Sequence, residues 1–596
     1  MSALILFAMS FLPLCSIAAA DSAAARQGEV CPPSAAAFAI DPAKSEILAV
    51  GKDRKTRSAA EELKRHLDLI SDVDVPIVET AKPGSYVFRF APGIIGGNAE
   101  ACAWKSTAVE TVFSGNVEFA VIDFLENALG VRWPEGDFIS YVRQNPIKPM
   151  STDGAWAPKL TIRTIRGSGS TFSRRMRAGR HDAPAYGHAF TQYWKKYGKT
   201  HREYFAMRAD GIRGSALLKA SDLMENIAEY AAAKNADRVA MCCTSTGLVG
   251  QVVANWINDG KPDYINLCEN DVPGQDSCHC PACKALDVVP EKVNPKWETH
   301  YADRYVYFGN KVLEAARRYR PDVKVCYYAY NATQDAPRRQ RPDPATVIGA
   351  VPTIFSDRYV AGYIESWKNT GVKNFFYRPN RHHYYVCPYL PVGSEEHFHG
   401  ILRYLVGAGA IGFDYDARAV EKGSFEWLER YVTFHAMQDP SKPFSYWEDH
   451  FCSAYGAAAE DVKAYYRYWR EEVWSKRLEP NLEEITEKGR WFNFGRGLVW
   501  NLGQYYHDED FAAAERFVLA AEAKNLQGPQ RELVAVFRIA HDHAKAFFAA
   551  VAHKSRANSE KLVAFRKAHG FPLCTWSEKY FGDITGVAKL LEQEKK

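Results

Sequence analysis

From Leu160 to Tyr415, short apolar runs recur, and several are separated by a stretch with helical spacing. The predicted strands are Leu160–Arg166, Arg238–Cys243, Tyr264–Glu269, Val323–Tyr330, Thr346–Val351, Val372–Tyr377 and Ala410–Tyr415, with helices at Asp222–Lys234 and Asp303–Arg318 among the connections. A strand followed by a helix, repeated, forces neighbouring strands to run parallel, because a parallel pair needs a crossover connection. Over roughly 250 residues this pattern predicts an α/β fold with a (β/α)8-type TIM barrel, whose functional groups gather at the C-terminal strand ends. An open doubly wound sheet is the alternative. No Gly-x-Gly-x-x-Gly follows a first strand, which argues against the dinucleotide-binding version of that sheet.

At 596 residues the chain exceeds what one core holds, so flanking domains are expected. Before the barrel, Ile47–Val50 and Tyr86–Phe90 read as strands, and Ala60, Leu63, Leu67 and Ile70 recur at helical spacing. A second helix covers Val117–Leu129, with Gly130 where a C-terminal cap belongs. These make a small α/β accessory domain over 43–150, followed by the barrel over 155–438. Beyond Gln438 strand signals stop. Ala457–Trp474, Asp510–Lys524, Pro529–Ala552 and Ser559–His569 are helical, giving an α-helical domain over 439–596.

Residues 4–20 are an apolar core ending in small residues, read as a secretory signal peptide over 1–20. The protein is therefore expected to be exported, periplasmic or extracellular. No later segment offers the ~20 apolar residues that a span needs. The net charge of +4 with no long run of Lys or Arg gives no support for a nucleic-acid partner, and none is expected. The 32 Tyr, 32 Phe and 14 Trp favour a carbohydrate partner, since aromatic faces stack on sugar rings. No cofactor is expected, and the sequence does not set the oligomeric state.

The segment Tyr264-Ile-Asn-Leu-Cys-Glu-Asn-Asp271 ends an apolar run with two carboxylates. Read as a strand, Glu269 and Asp271 share a face roughly 6–7 Å apart. Such a pair suits glycosidic cleavage, in which one group protonates the leaving oxygen and another assists attack. Asp414 and Asp416 repeat the pattern, and Asp414 is the candidate partner across the barrel mouth; a loop-capping aspartate pair is the alternative. The loop Arg180–His188 offers Tyr186 and His188 to sugar hydroxyls, with Arg175 or Arg180 for an acidic sugar. His181, Asp182 and His188 match no standard metal-ligand spacing. Tyr377, Arg378 and His382, with Asp416, suit an anionic or polyhydroxylated ligand.

Thirteen cysteines become twelve without Cys15 of the leader. Cys278-x-Cys280-x-x-Cys283 with Cys268 is either a disulfide framework or a four-thiolate zinc site, and export favours disulfides. Both readings are structural, and the disulfide reading predicts no effect of mild chelation.

Four stretches together carry a family resemblance. They are Gly115–Pro134, His201-Arg-Glu-Tyr-Phe-Ala-Met-Arg-Ala-Asp-Gly-Ile-Arg213, Glu269-Asn-Asp followed by Cys278-x-Cys-x-x-Cys283, and Leu402-Arg-Tyr-Leu. The first resembles the accessory-domain end of family 67 alpha-glucuronidases and family 20 hexosaminidases. As a set they resemble the bacterial exported proteins grouped as domain of unknown function 4838, over about residues 45–475. That resemblance implies a barrel akin to glycoside hydrolases. Family 20 enzymes place adjacent Asp and Glu at a strand end, whereas this chain has the spaced Glu269-Asn-Asp271 and carries Tyr377-Arg-Pro-Asn380 where a Glu or Gln is expected. The expected function is an exported glycoside hydrolase acting on a polysaccharide or glycan, with acidic or N-acetylated sugars as candidates. The alternative is a non-catalytic carbohydrate-binding protein on a barrel scaffold, with a metal-dependent hydrolase third.

Overall fold

A computed structural model describes the chain apart from residues 1–37, 51–52, 215–235, 272–276, 289–300, 380–388, 418–419, 421–422, 490–492, 527, 575–577, 579–581 and 594–596. The leader, the helix expected at Asp222–Lys234 and His382 lie outside the described residues.

The N-terminal sheet contains β1 (Ser45–Leu48), β2 (Ile77–Val78), β3 (Tyr86–Pro92), β4 (Cys102–Ser106), β5 (Glu110–Gly115) and β6 (Asp153–Trp156), in the order β2-β1-β3-β5-β4-β6. Two helices, Arg54–Ser71 and Val117–Asn127, pack against it. Each starts at a side-chain cap: Asp53 accepts from the Thr56 N–H at 2.9 Å and Asn116 from the Phe119 N–H at 3.2 Å. Ala60, Leu63, Leu67 and Ile70 are buried, as their spacing predicts.

The central sheet contains β7 (Ile162–Ile165), β8 (Gly179–Arg180), β9 (Tyr264–Asn266), β10 (Lys324–Ala329), β11 (Thr346–Ala350), β12 (Asn374–Tyr377) and β13 (Ala410–Tyr415). Its order is β8-β7-β13-β12-β11-β10-β9, and every pair except β7–β8 is parallel. The two edges meet through residues 187–189. There the Ala189 N–H donates to the Cys268 carbonyl at 2.9 Å, and the Asn266 amide donates to the Gly187 carbonyl at 2.7 Å. Helices Ala302–Ala316, Asp357–Lys368 and Glu395–Gly407 each precede the next strand, as a (β/α) barrel requires.

One expected strand differs. Arg238–Cys243 lies outside this sheet and instead bridges Phe205 to Met241 antiparallel. Among the described residues the barrel thus has six parallel strands and one short antiparallel one.

The interior of the sheet is a separate apolar cluster of Ile162, Cys268, Cys326, Tyr328, Val347, Val351 and Phe376. Gly349 on β11 makes this packing possible. A Cβ there would stand 2.5 Å from the Tyr328 ring and 2.7 Å from Phe376, so only glycine admits both rings.

From Phe444 onward the described elements are helical, including Ala459–Tyr468, Asp508–Glu522, Pro529–Ala552 and Arg556–His569. No helix among the described residues is long and apolar enough to cross a membrane.

Where helices Glu395–Gly407, Glu426–Gln438 and Phe444–Cys452 meet, acidic groups are buried around Arg470. Arg470 donates to Glu448 at 2.7 Å and lies 3.8 Å from Glu395. Burial pushes the Glu395 carboxyl from 4.5 up to about 8, with Arg470 opposing the shift. A raised carboxyl pKa makes its stabilising contribution fully present below the unfolded value of 4.5 and loses it as pH climbs through about 8. We expect stability to decline over that window, and Glu395→Gln to flatten the decline in urea titrations run at several pH values. An unchanged pH dependence in the variant would contradict this.

Candidate active site

Because the barrel strands are parallel, Arg166, Asn270, Tyr330, Arg378 and Asp416 all follow strand ends on one face of the sheet. Two groupings form there, joined by Tyr328.

The first surrounds Glu269. The chain leaves β9 at Asn266, so strict strand alternation does not extend to Asp271. Cys268 faces the sheet interior, while the Glu269 carboxylate reaches toward helix Ala302–Ala316. Its Oε2 accepts from the Tyr305 hydroxyl at 2.5 Å and from the Met241 N–H at 3.1 Å. Among the described residues its Oε1 accepts only from the Asn270 N–H, at 2.8 Å, which leaves that oxygen with spare capacity there. Burial raises the Glu269 pKa above its ordinary 4.5, against the lowering effect of the Tyr305, Asn270 and Met241 donors.

Glu269 opens on a cavity of about 80 Å³ that is also lined by Asn270, Asp271, Tyr305, Tyr328 and Tyr330. Asp271 is exposed at its rim and bonded to Arg238 at 3.2 Å. The two carboxylates therefore line one cavity but occupy different environments, Glu269 enclosed and Asp271 solvated. The Asn270 Oδ1 is buried with no hydrogen-bond partner among the described residues, while its amide nitrogen donates to the Val239 carbonyl at 2.9 Å. An acceptor left bare beside a cavity is a natural anchor for a ligand hydroxyl or amide. His188 is exposed, with its Nδ1 2.6 Å from the Glu269 carbonyl oxygen.

The second grouping is centred on Asp414, which is fully buried. Arg166 grips it bidentately at 3.1 and 2.6 Å, and Arg180 and Arg378 stand at 3.8 and 3.7 Å. Asp416 shares this face, 3.5 Å from Arg166 and 3.4 Å from Arg378. Their expected common face is therefore observed, but Asp414 is committed to guanidinium groups. It does not line the Glu269 cavity, which corrects its reading as the opposing catalytic carboxylate.

Among the described residues of this grouping, three guanidinium groups face two carboxylates, leaving one positive charge in excess. Arg180 lies over the Tyr186 ring at 4.3 Å, and Tyr186 stacks on Phe376 at 4.5 Å. Burial and the neighbouring Asp414 charge push the Tyr186 hydroxyl pKa up. Arg378 lies over the Tyr328 ring at 5.0 Å, so Tyr328 forms a wall of both groupings.

Other expectations are corrected. Tyr377 turns away from the sheet interior and packs on Phe413 and Tyr415, because residues on β12 alternate and Phe376 takes the inward position. It is therefore a packing residue. Arg175 is buried against Glu62 at 2.8 Å, away from the strand ends. His181 pairs with Asp182 at 3.0 Å, and these two with His188 are not among the groups that converge on one point. Arg166, Asn270, Tyr305 and Tyr328 carry much of the site and escaped sequence reasoning. Only Arg166, one residue beyond a strand end, had a signal that could have exposed it.

The cysteine cluster is also corrected. Cys268 belongs to the sheet interior with Cys326, and the fourth sulfur beside Cys278, Cys280 and Cys283 comes from Cys242. All the cysteines among the described residues are free thiols.

Residues 144–467 match the family described as "Domain of unknown function (DUF4838)". No curated protein matches the sequence. Among solved structures, the chain is similar to Streptomyces plicatus N-acetyl-beta-hexosaminidase in complex with thio-NAglucal, at 10% identity and a TM-score of 0.38, covering 73% of this chain and 94% of that one. It is similar to a family 89 glycoside hydrolase of Clostridium perfringens at 9% identity and 0.45, covering 86% and 65%. A chitobiase of Flavobacterium johnsoniae is similar at 10% identity and 0.39, covering 93% and 96%. At these values the likeness assigns no role to any residue.

Proposed function

Because the chain belongs to the family described as domain of unknown function 4838, whose description names no chemistry, we propose its function from the site: a glycoside hydrolase acting on an acidic glycan, with Glu269 as proton donor. The observation that carries this reading is the enclosed Glu269 carboxyl at the strand ends. Burial favours its protonated form, and its oxygens are unequally occupied, Oε2 by two donors and Oε1 by one. Glu269 lines the cavity, and a proton carried on Oε1, the less occupied oxygen, can pass to a leaving oxygen bound there. Asp271, at the rim, is placed to assist attack or stabilise developing charge. Asn270 Oδ1 and Tyr328 are placed to orient the sugar.

Acidic sugars are favoured by the excess guanidinium charge around Asp414 and Asp416. Arg180 is exposed, and its planar fork suits a carboxylate. The apolar leader at residues 4–20 supports action outside the cytoplasm.

A second reading, a carbohydrate-binding protein without catalysis, is favoured by one specific observation. Among the described residues, no carboxylate from another strand lines the cavity with Glu269 and Asp271.

A pH–rate profile separates the two readings. A general acid works while protonated, so kcat/KM falls as pH rises through the Glu269 pKa, which lies above 4.5. We expect this alkaline limb in the parent and its loss in Glu269→Gln. An alkaline limb that survives the substitution would assign proton donation elsewhere.

A further inference from the structure

We propose that Cys242, Cys278, Cys280 and Cys283 form a structural zinc site. The sulfur of Cys242 lies 3.8 Å from those of Cys280 and Cys283, and the four sulfurs all lie within 4.8 Å of one another. Tetrahedral zinc–thiolate bonds of about 2.3 Å put sulfurs about 3.8 Å apart along each edge. The observed spacing is thus that of a ligand shell, nearly twice the ~2.05 Å of a disulfide bond.

The surroundings suit thiolates. All four cysteines are buried, so the shell is closed to exchange. The Met207 N–H donates to the Cys278 sulfur at 3.3 Å and the Cys283 N–H to the Cys280 sulfur at 3.4 Å. Binding releases four protons and leaves a complex with two negative charges. The guanidinium of Arg213 beside Cys242 offsets part of that charge, while Arg304, bonded to the Cys278 carbonyl at 2.7 Å, is itself paired with Asp287.

The site joins two segments distant in sequence. It ties residues 242–243, next to the irregular bridge at Met241, to the loop that follows the candidate catalytic segment. Met241 adjoins Cys242 and donates to Glu269, and Cys278 lines the same cavity as Glu269. Zinc would therefore hold the Met241 N–H in place as a positioning device. The metal site itself stands independently of the hydrolase reading, since its tests measure metal and sulfur rather than turnover.

The experiment is elemental analysis of the full chain purified without chelators, together with cobalt substitution. We expect about one zinc per chain, and cobalt-loaded protein with the visible bands and thiolate charge-transfer absorption of a tetrahedral tetrathiolate. Chelator under mild denaturant should release the zinc and lower the unfolding midpoint. Cys242→Ser should lose the metal, whereas Cys268→Ser should keep it. Should Cys242→Ser fail to fold, the parent's metal content and cobalt spectrum still decide. Metal-free parent protein, with its four sulfurs either free or recovered as disulfides by non-reducing peptide mapping, would overturn the proposal. So would metal loss in Cys268→Ser with retention in Cys242→Ser.

Discussion

Glu269→Gln is expected to lower turnover of an unactivated glycoside by about 10²–10⁴, the usual contribution of a positioned proton donor. The amide keeps the size of the side chain and can still accept from the Met241 N–H and the Tyr305 hydroxyl, so folding should survive. It has no acidic proton to give. A nitrophenyl glycoside, whose leaving oxygen hardly needs protonation, should lose far less in the bond-breaking step. That split between good and poor leaving groups is the signature of a general acid. Equal losses on both substrates, with glycosidic cleavage rate-limiting, would remove Glu269 from the role.

The second large effect concerns stability. Asp414 is fully buried and balances Arg166 directly, with Arg180 and Arg378 close by. Asp414→Asn removes the charge that Arg166 grips. Because Arg166 and Arg180 are partly exposed and Asp416 remains beside Arg166 and Arg378, the loss is that of a charged hydrogen-bonded contact, about 1.5–3 kcal/mol. The solvated partner provides a control: Asp416 is a quarter exposed and its contacts are 3.4–3.5 Å, so Asp416→Asn should cost about 1 kcal/mol or less. Urea denaturation of both variants measures this. An Asp414→Asn protein as stable as the parent but without turnover would return Asp414 to the catalytic role that its ion pairs argue against.

Period and strand chemistry carried most of the fold. Ala410–Tyr415 and Pro529–Ala552 have the boundaries their patterns predict, and Thr346–Val351 ends one residue late. Pro529–Ala552 is long and Thr346–Val351 is rich in β-branched residues, so local pattern alone marks them, whereas Ala410–Tyr415 pairs on one side with β7, about 250 residues away. Arg238–Cys243 failed because an apolar run cannot report its pairing partner, and it pairs antiparallel with the Phe205 region instead.

The site was legible only in part, for three physical reasons. Strand parity holds only within a strand, and one ending at Asn266 rather than Glu269 releases Glu269 and Asp271 from the common face that alternation predicts. Register decides who meets whom: Asp414 lies opposite Thr164, which brings Arg166 onto it from 248 residues away. The fourth thiol, Cys242, stands 36 residues before Cys278 on a segment with no motif of its own, whereas Cys268 was the nearer in sequence.

Glu269 is proposed to drive glycosidic cleavage in an acidic glycan. The most direct measurement is release of reducing ends from a panel of uronic-acid, N-acetylated and neutral glycosides, run beside calorimetric binding of the same compounds. The proposed function predicts turnover of uronic-acid glycosides by the parent and its loss in Glu269→Gln, with binding retained in both. Measurable glycan binding with no turnover of any glycoside by the parent would contradict it, leaving a carbohydrate-binding protein on a barrel scaffold.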